Sequence, residues 1–152
     1  MRGLEVIIAI IVVIGILVSI FVYLNLDAET DIDGITFNIP IDYGLSDSGE
    51  NENSFYKRYT DEFGAIIQIY VYKTKSLEEV LSDFRSTESQ KNGWNIDQNI
   101  SFGNYSGVQV NWRGSPYFFI FEKDGRTVAI HAGGESLSSG GGFVSDMERI
   151  LK

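Results

Sequence analysis

No cysteine occurs anywhere in the 152 residues, and there is a single histidine, His131. The first absence excludes disulfides, thiolate metal centres and a lipid-modified cysteine as anchor. With only one imidazole as well, a zinc or copper centre lacks the ligands it needs. Basic residues are the next shortage: 12 Lys and Arg stand against 21 Asp and Glu, a net charge of −9. Phosphate neutralisation needs a clustered basic face, so nucleic acid is not an expected partner. Nucleotide motifs are missing too. The glycine-rich GGESLSSGGG has neither the Gly-Lys-Ser/Thr ending nor the G-x-G-x-x-G spacing of a phosphate cradle, and it reads as a connector.

Charge is absent from one long stretch. From Val6 to Leu24 the chain is apolar apart from Ser19, and at about 1.5 Å per residue such a run reaches roughly the 30 Å of a bilayer core. The expectation is a single-pass transmembrane helix over residues 5–25, within an anchor of residues 1–26, whose partner is the lipid bilayer. The apolar run is too long for a cleaved signal, whose apolar part spans about 7–15 residues. Arg2 precedes the run, and Asp27, Glu29, Asp31 and Asp33 follow it. The positive-inside rule then places the N-terminus in the cytoplasm and the remaining domain outside, at the cell membrane.

Residues 27–33 read as an acidic leash. Asp31, Asp33 and Gly34 fit a helix-loop-helix calcium loop counted from Glu29, but its last position holds Pro40 where a bidentate glutamate is required. The leash is therefore read as solvated chain.

Residues 34–152 read as one domain. GITFNIP alternates Ile35, Phe37 and Ile39 with polar residues, the period of a half-buried strand. Residues 42–54 are rich in turn formers and read as a loop. FYKRYT and AIIQIYVYKT form a hairpin over Gly64, and SLEEVLSDFRSTESQKNG opens with the capping box Ser76 and Glu79 and ends at Gly93. Four more strands follow, WNIDQNISF, YSGVQVNW, PYFFIFEK and RTVAIHA, with a tight Asp-Gly turn in KDGR; FVSDMERILK closes the chain as a helix. The fold class expected is α+β: a mainly antiparallel sheet of about 6–7 strands with two helices packed on it.

A strand ending in IP, a hairpin, the KSLEEVLSDF helix, then strands containing GVQV and YFFIFEKDGRTVAI and a terminal helix resemble the layout of PsbP-like α/β/α sandwich domains. The arrangement is similar to small membrane-anchored proteins of methanogenic archaea. The resemblance covers residues 34–152, rests on order and pattern, and implies a fold rather than a task.

No residue is assigned a catalytic, cofactor-binding or metal-ligating role, and no cofactor is expected. His131 with Ser136 or Ser138 lacks a nucleophile elbow. Tyr56, Tyr59, Tyr70, Tyr72, Tyr117, Phe119 and Phe121 fall on neighbouring strands, where they supply core or, if a face is open, a binding surface. Two sequons, at Asn99 and Asn104, lie near a turn. The functional expectation is a membrane-anchored, extracytoplasmic, non-enzymatic binding or accessory module that docks on another membrane or envelope protein. The alternatives are a receptor for a small ligand or cation, and a membrane-tethered hydrolase.

Overall fold

The structure, a computed structural model, describes residues 10–19, 27–133 and 141–151. Helix α1 spans residues 10–19. The strands are β1 (Asp27–Ile32), β2 (Ile35–Pro40), β3 (Gly44–Glu50), β4 (Ser54–Thr60), β5 (Ile66–Tyr72), β6 (Trp94–Phe102), β7 (Tyr105–Trp112), β8 (Ser115–Lys123) and β9 (Arg126–Gly133). Helices α2 (Leu77–Arg85) and α3 (Thr87–Lys91) lie between β5 and β6, and α4 (Gly141–Ile150) follows β9.

Seven strands form one antiparallel sheet in the order β3-β4-β5-β9-β8-β7-β6, and β1 and β2 form a separate hairpin. Period-2 alternation gives the sheet two different faces. On one face Ile67, Ile69, Val71, Phe119, Phe121, Val128 and Ile130 are buried beneath Phe37 and Ile39 of the β1–β2 hairpin and Phe143 and Met147 of α4. On the other, Val80 and Leu81 of α2 pack on Val110, Ile120 and Ala129. The interior strands are thus apolar on both sides where both layers reach them.

The α+β character is present, but the expected architecture needs correction. The transmembrane helix over residues 5–25 is not found: α1 has ten described residues, about 15 Å at 1.5 Å per residue. No helix among the described residues is long and apolar enough to cross a membrane. Residues 5–9 and 20–25 of that expected span lie outside the described residues. The single-pass placement, with the N-terminus in the cytoplasm and the domain outside, rested on that span and is withdrawn with it.

Two further segments differ. The acidic leash is strand β1. Its alternation leaves Glu29 and Asp31 exposed, buries Ile32, and lets Thr30 bond the Tyr59 hydroxyl at 2.6 Å. Asp31 accepts a bond from the Gly34 amide across the hairpin turn, and Asp33 pairs with Arg126 at 2.9 Å. The loop expected over 42–54 contains β3, exposed along its whole length and paired antiparallel with β4 through a register shift between Leu45 and Asp47. Backbone pairing overrides its turn-forming composition. The helix from Ser76 forms with both halves of its capping box, then breaks at Ser86, whose side chain caps α3 in turn.

Gly107 of β7 lies under β8. A Cβ there would overlap the Ile120 carbonyl oxygen and stand 2.7 Å from Phe121 Cβ and 2.8 Å from the Phe119 ring. Gly107→Ala is expected to destabilise the fold by about 1–3 kcal/mol through overpacking. Gly44→Ala, whose Cβ would meet only the Thr60 oxygen at 4.0 Å, should stay within about 0.5 kcal/mol. Urea midpoints of the two variants check this; equal values would contradict the packing account.

Candidate functional site

Helices α2 and α3 cover only part of their sheet face, packing on β6 and, for α2, on β8. Phe84 marks the limit of the cover, with its ring 5.3 Å from that of Trp94 and 5.9 Å from that of Phe118. The cover ends at β5, whose Tyr70 and Tyr72 pack half-buried at its margin, and Arg58 of β4 beyond it is exposed. The alternation that sends Ile67, Ile69 and Val71 into the core turns Gln68 and Tyr70 onto this face, where Arg58 and Tyr56 stand opposite them on β4.

Register aligns a polar row across four strands: Asp47 of β3 opposite Arg58, Arg58 opposite Gln68, Gln68 opposite His131. Arg58 donates to Gln68 Oε1 from Nε at 3.2 Å and from Nη2 at 3.0 Å, so this edge of the guanidinium is fixed, while Arg58 itself is exposed and its Nη1 has no hydrogen-bond partner among the described residues. Gln68 is only 9% exposed, and this contact satisfies its carbonyl oxygen. Arg58 makes no ion pair among the described residues, in a protein of net charge −9.

Beside it runs an aromatic row. Tyr56 and Tyr70 stand ring to ring at 6.1 Å, and Tyr70 meets the edge of Phe118 at 6.2 Å. The Tyr56 ring lies over Gly49 of β3, where a Cβ would stand 3.0 Å from its hydroxyl, and that hydroxyl donates to Asp47 at 3.3 Å. The hydroxyls of Tyr70 and Tyr117 have no hydrogen-bond partner among the described residues. Burial raises the Tyr70 pKa, Arg58 opposes the rise, and Tyr117 and Tyr56 add to it, so these groups share one electrostatic neighbourhood.

Tyr117 reaches this face through a bulge. Val110 pairs with Phe118 and Asn111 with Pro116, which leaves Tyr117 as the extra residue. Its ring stacks on His131 at 4.0 Å and meets the edge of Trp94 at 5.0 Å. His131 Nδ1 lies 2.9 Å from the Tyr117 carbonyl oxygen. A carbonyl only accepts, so Nδ1 carries the proton and Nε2 is left as an acceptor. The ring lies along its own strand over Gly133, where a Cβ would come within 2.9 Å of Cε1. Burial first, then the Arg58 charge, lowers the His131 pKa, and the Tyr117 carbonyl opposes both.

Two cavities flank this region. One of about 300 Å³ adjoins the face at Tyr70 and is lined also by Asn51, Ser54, Tyr72, Lys75 and Asp83. The other, about 230 Å³, gathers Lys73, Lys75 and Arg126 near the start of α2. Its cations are already paired with Glu50, Asp83 and Asp33.

The aromatic set expected on neighbouring strands divides between the faces. Tyr59, Phe119 and Phe121 belong to the core, whereas Tyr70 and Tyr72 both pack half-buried at the margin of the α2 cluster, and Tyr56 and Tyr117 adjoin that margin beside Tyr70 and Trp94. Ser136 and Ser138 lie outside the described residues, as does most of the glycine-rich connector. Asn99 and Asn104 are both exposed. Sequence reasoning missed Arg58 and Gln68. The available signal was Gln68 itself, a polar residue in the middle of the otherwise apolar IIQIYVY. Comparison of the chain with protein-family models, curated proteins and solved structures finds no match.

On the opposite face of the sheet Asp146 of α4 is buried near Tyr43. Burial raises its pKa to about 6; Arg149 opposes the rise, Asp42 and Asp61 add to it, and the Tyr43 hydrogen bond opposes it. The fold thus favours the protonated carboxyl. Its contribution to stability is complete below the unfolded value of 3.8 and is lost as pH rises through about 6. Asp146→Asn should therefore gain stability relative to the unmodified protein between about pH 4.5 and about pH 7.5. Urea titrations at the two pH values measure the difference, and a constant difference would refute it.

Proposed function

We propose that the protein is a non-catalytic binding module whose ligand surface is the uncovered sheet face around Arg58, Tyr70, His131 and Tyr117. One observation carries the reading. On a half-buried aromatic floor, the outer edge of Arg58 and the hydroxyls of Tyr70 and Tyr117 are hydrogen-bond donors without partners among the described residues. Few polar groups placed on an apolar ground are what a recognition site presents. Tyrosine and arginine are also enriched where proteins bind.

Binding is favoured over hydrolysis because the His131 ring is engaged by a backbone carbonyl and stacked on Tyr117 rather than hydrogen-bonded to a nucleophile. Kinship with PsbP-like sandwich domains is part of the same proposal. It is supported by the order of the elements and by the placing of α2 on one sheet face and α4 on the other.

Mapping a library of small aromatic and polar fragments by NMR on the full chain tests the reading. Shift changes should concentrate on Tyr56, Tyr70, Tyr117 and the His131 ring, and Tyr70→Ala should reduce them several-fold. Changes confined to the cavity by Lys73 and Arg126, or to the outer surface of α4, would overturn it.

A further inference from the structure

The chemistry of the uncovered face narrows what it takes. Arg58 is held from one side by Gln68, so its remaining N–H groups are oriented rather than mobile. A guanidinium edge fixed in this way matches the two oxygens of a carboxylate. It is the only cation in the polar row that crosses β3, β4, β5 and β9. A doubly charged phosphate would meet one positive charge and, in the same row, Asp47, within a protein of net charge −9. A single negative charge is the better match.

The ground beside Arg58 is flat and aromatic. Tyr70 lies diagonally across the β4–β5 pair from Arg58, and neighbouring strands stand about 4.8 Å apart. A group bound to the guanidinium therefore has its next atoms over the Tyr70 ring and near its hydroxyl. Beyond Tyr70 the floor opens into the cavity of about 300 Å³, the lower end of the size range of small-molecule sites.

We infer that this face binds a small organic monocarboxylate, with the carboxylate on the outer edge of Arg58 and a flat apolar body against Tyr70 and Tyr117. The inference rests on the proposed binding role of the same face. The Tyr70 hydroxyl donates a further hydrogen bond to the carboxylate, and no covalent step is involved.

Titration of the full chain with phenylacetate, indole-3-acetate and octanoate, each beside its neutral amide, and with inorganic phosphate, is the test, read by NMR at Tyr70 and the His131 ring. At least one carboxylate should bind at least tenfold more tightly than its amide and than phosphate. Arg58→Gln should weaken it at least tenfold while leaving the amide unchanged, and Tyr70→Phe should weaken it several-fold with the dispersed spectrum retained. If amides and acids bind this face equally, or Arg58→Gln has no effect, the carboxylate assignment is overturned and the binding role of the face stands. Tighter binding of phosphate would overturn the assignment in the same way. If none of the probes perturbs Tyr70 or His131, both readings fall.

Discussion

The pairing of β5 with β9 is the interaction on which the rest of the molecule depends. The sheet consists of two runs of neighbouring strands, β3-β4-β5 and β9-β8-β7-β6, each connected locally, and this is the single place where they join. On one side of the seam Ile67, Ile69 and Val71 face Ala132, Ile130 and Val128 in the core. On the other side, Gln68 faces His131 and Tyr70 faces Ala129. The apolar side holds the seam closed, and the polar side is the floor of the proposed site.

The site therefore belongs to neither half alone. Arg58, Gln68 and Tyr70 come from the first run of strands, His131 and Tyr117 from the second. Closing a seam between segments far apart in sequence costs chain entropy. The cost is offset by burying residues that are 0–3% exposed along β5 and β9. Because the interior strands are fixed from both faces, the side chains on their uncovered part hold definite positions without a covering layer. A rigid sheet under a partly wet row of polar groups is a sound platform for recognition.

How far this was legible in the sequence differs by element. Seven of the nine strands show in the alternation, and the capping box of Ser76 and Glu79 and the Asp-Gly turn at Asp124 and Gly125 are local signals that the structure honours. Strand β1 was hidden because its acids look like a solvated leash when read as charge, although Glu29 and Asp31 are the polar half of a two-residue period. Strand β3 carries no apolar alternation, and only its partner β4 determines it. The apolar N-terminal run suggested a span that the ten described residues of α1 do not form. For the site, local pattern placed the tyrosines on neighbouring strands. It could not show which face α2 leaves open, because that follows from the β5–β9 seam and from the bulge at Tyr117, both set by long-range pairing.

The same seam has a topological consequence. If it parts, β5 and β9 become edges at once, and IIQIYVY offers an unpaired backbone flanked by isoleucines with no charge to discourage a partner. The permanent edge β3, by contrast, carries Asp47 and Glu50 and an irregular register at Leu45, features that deter strand addition. Two copies opened in this way are complementary to each other along the β5 edge of one and the β9 edge of the other, and the segment from Lys73 to Gly93 tethers the exchanged halves. Reciprocal exchange of the two strand runs between two such copies would rebuild the seam, with each proposed site drawn from both chains.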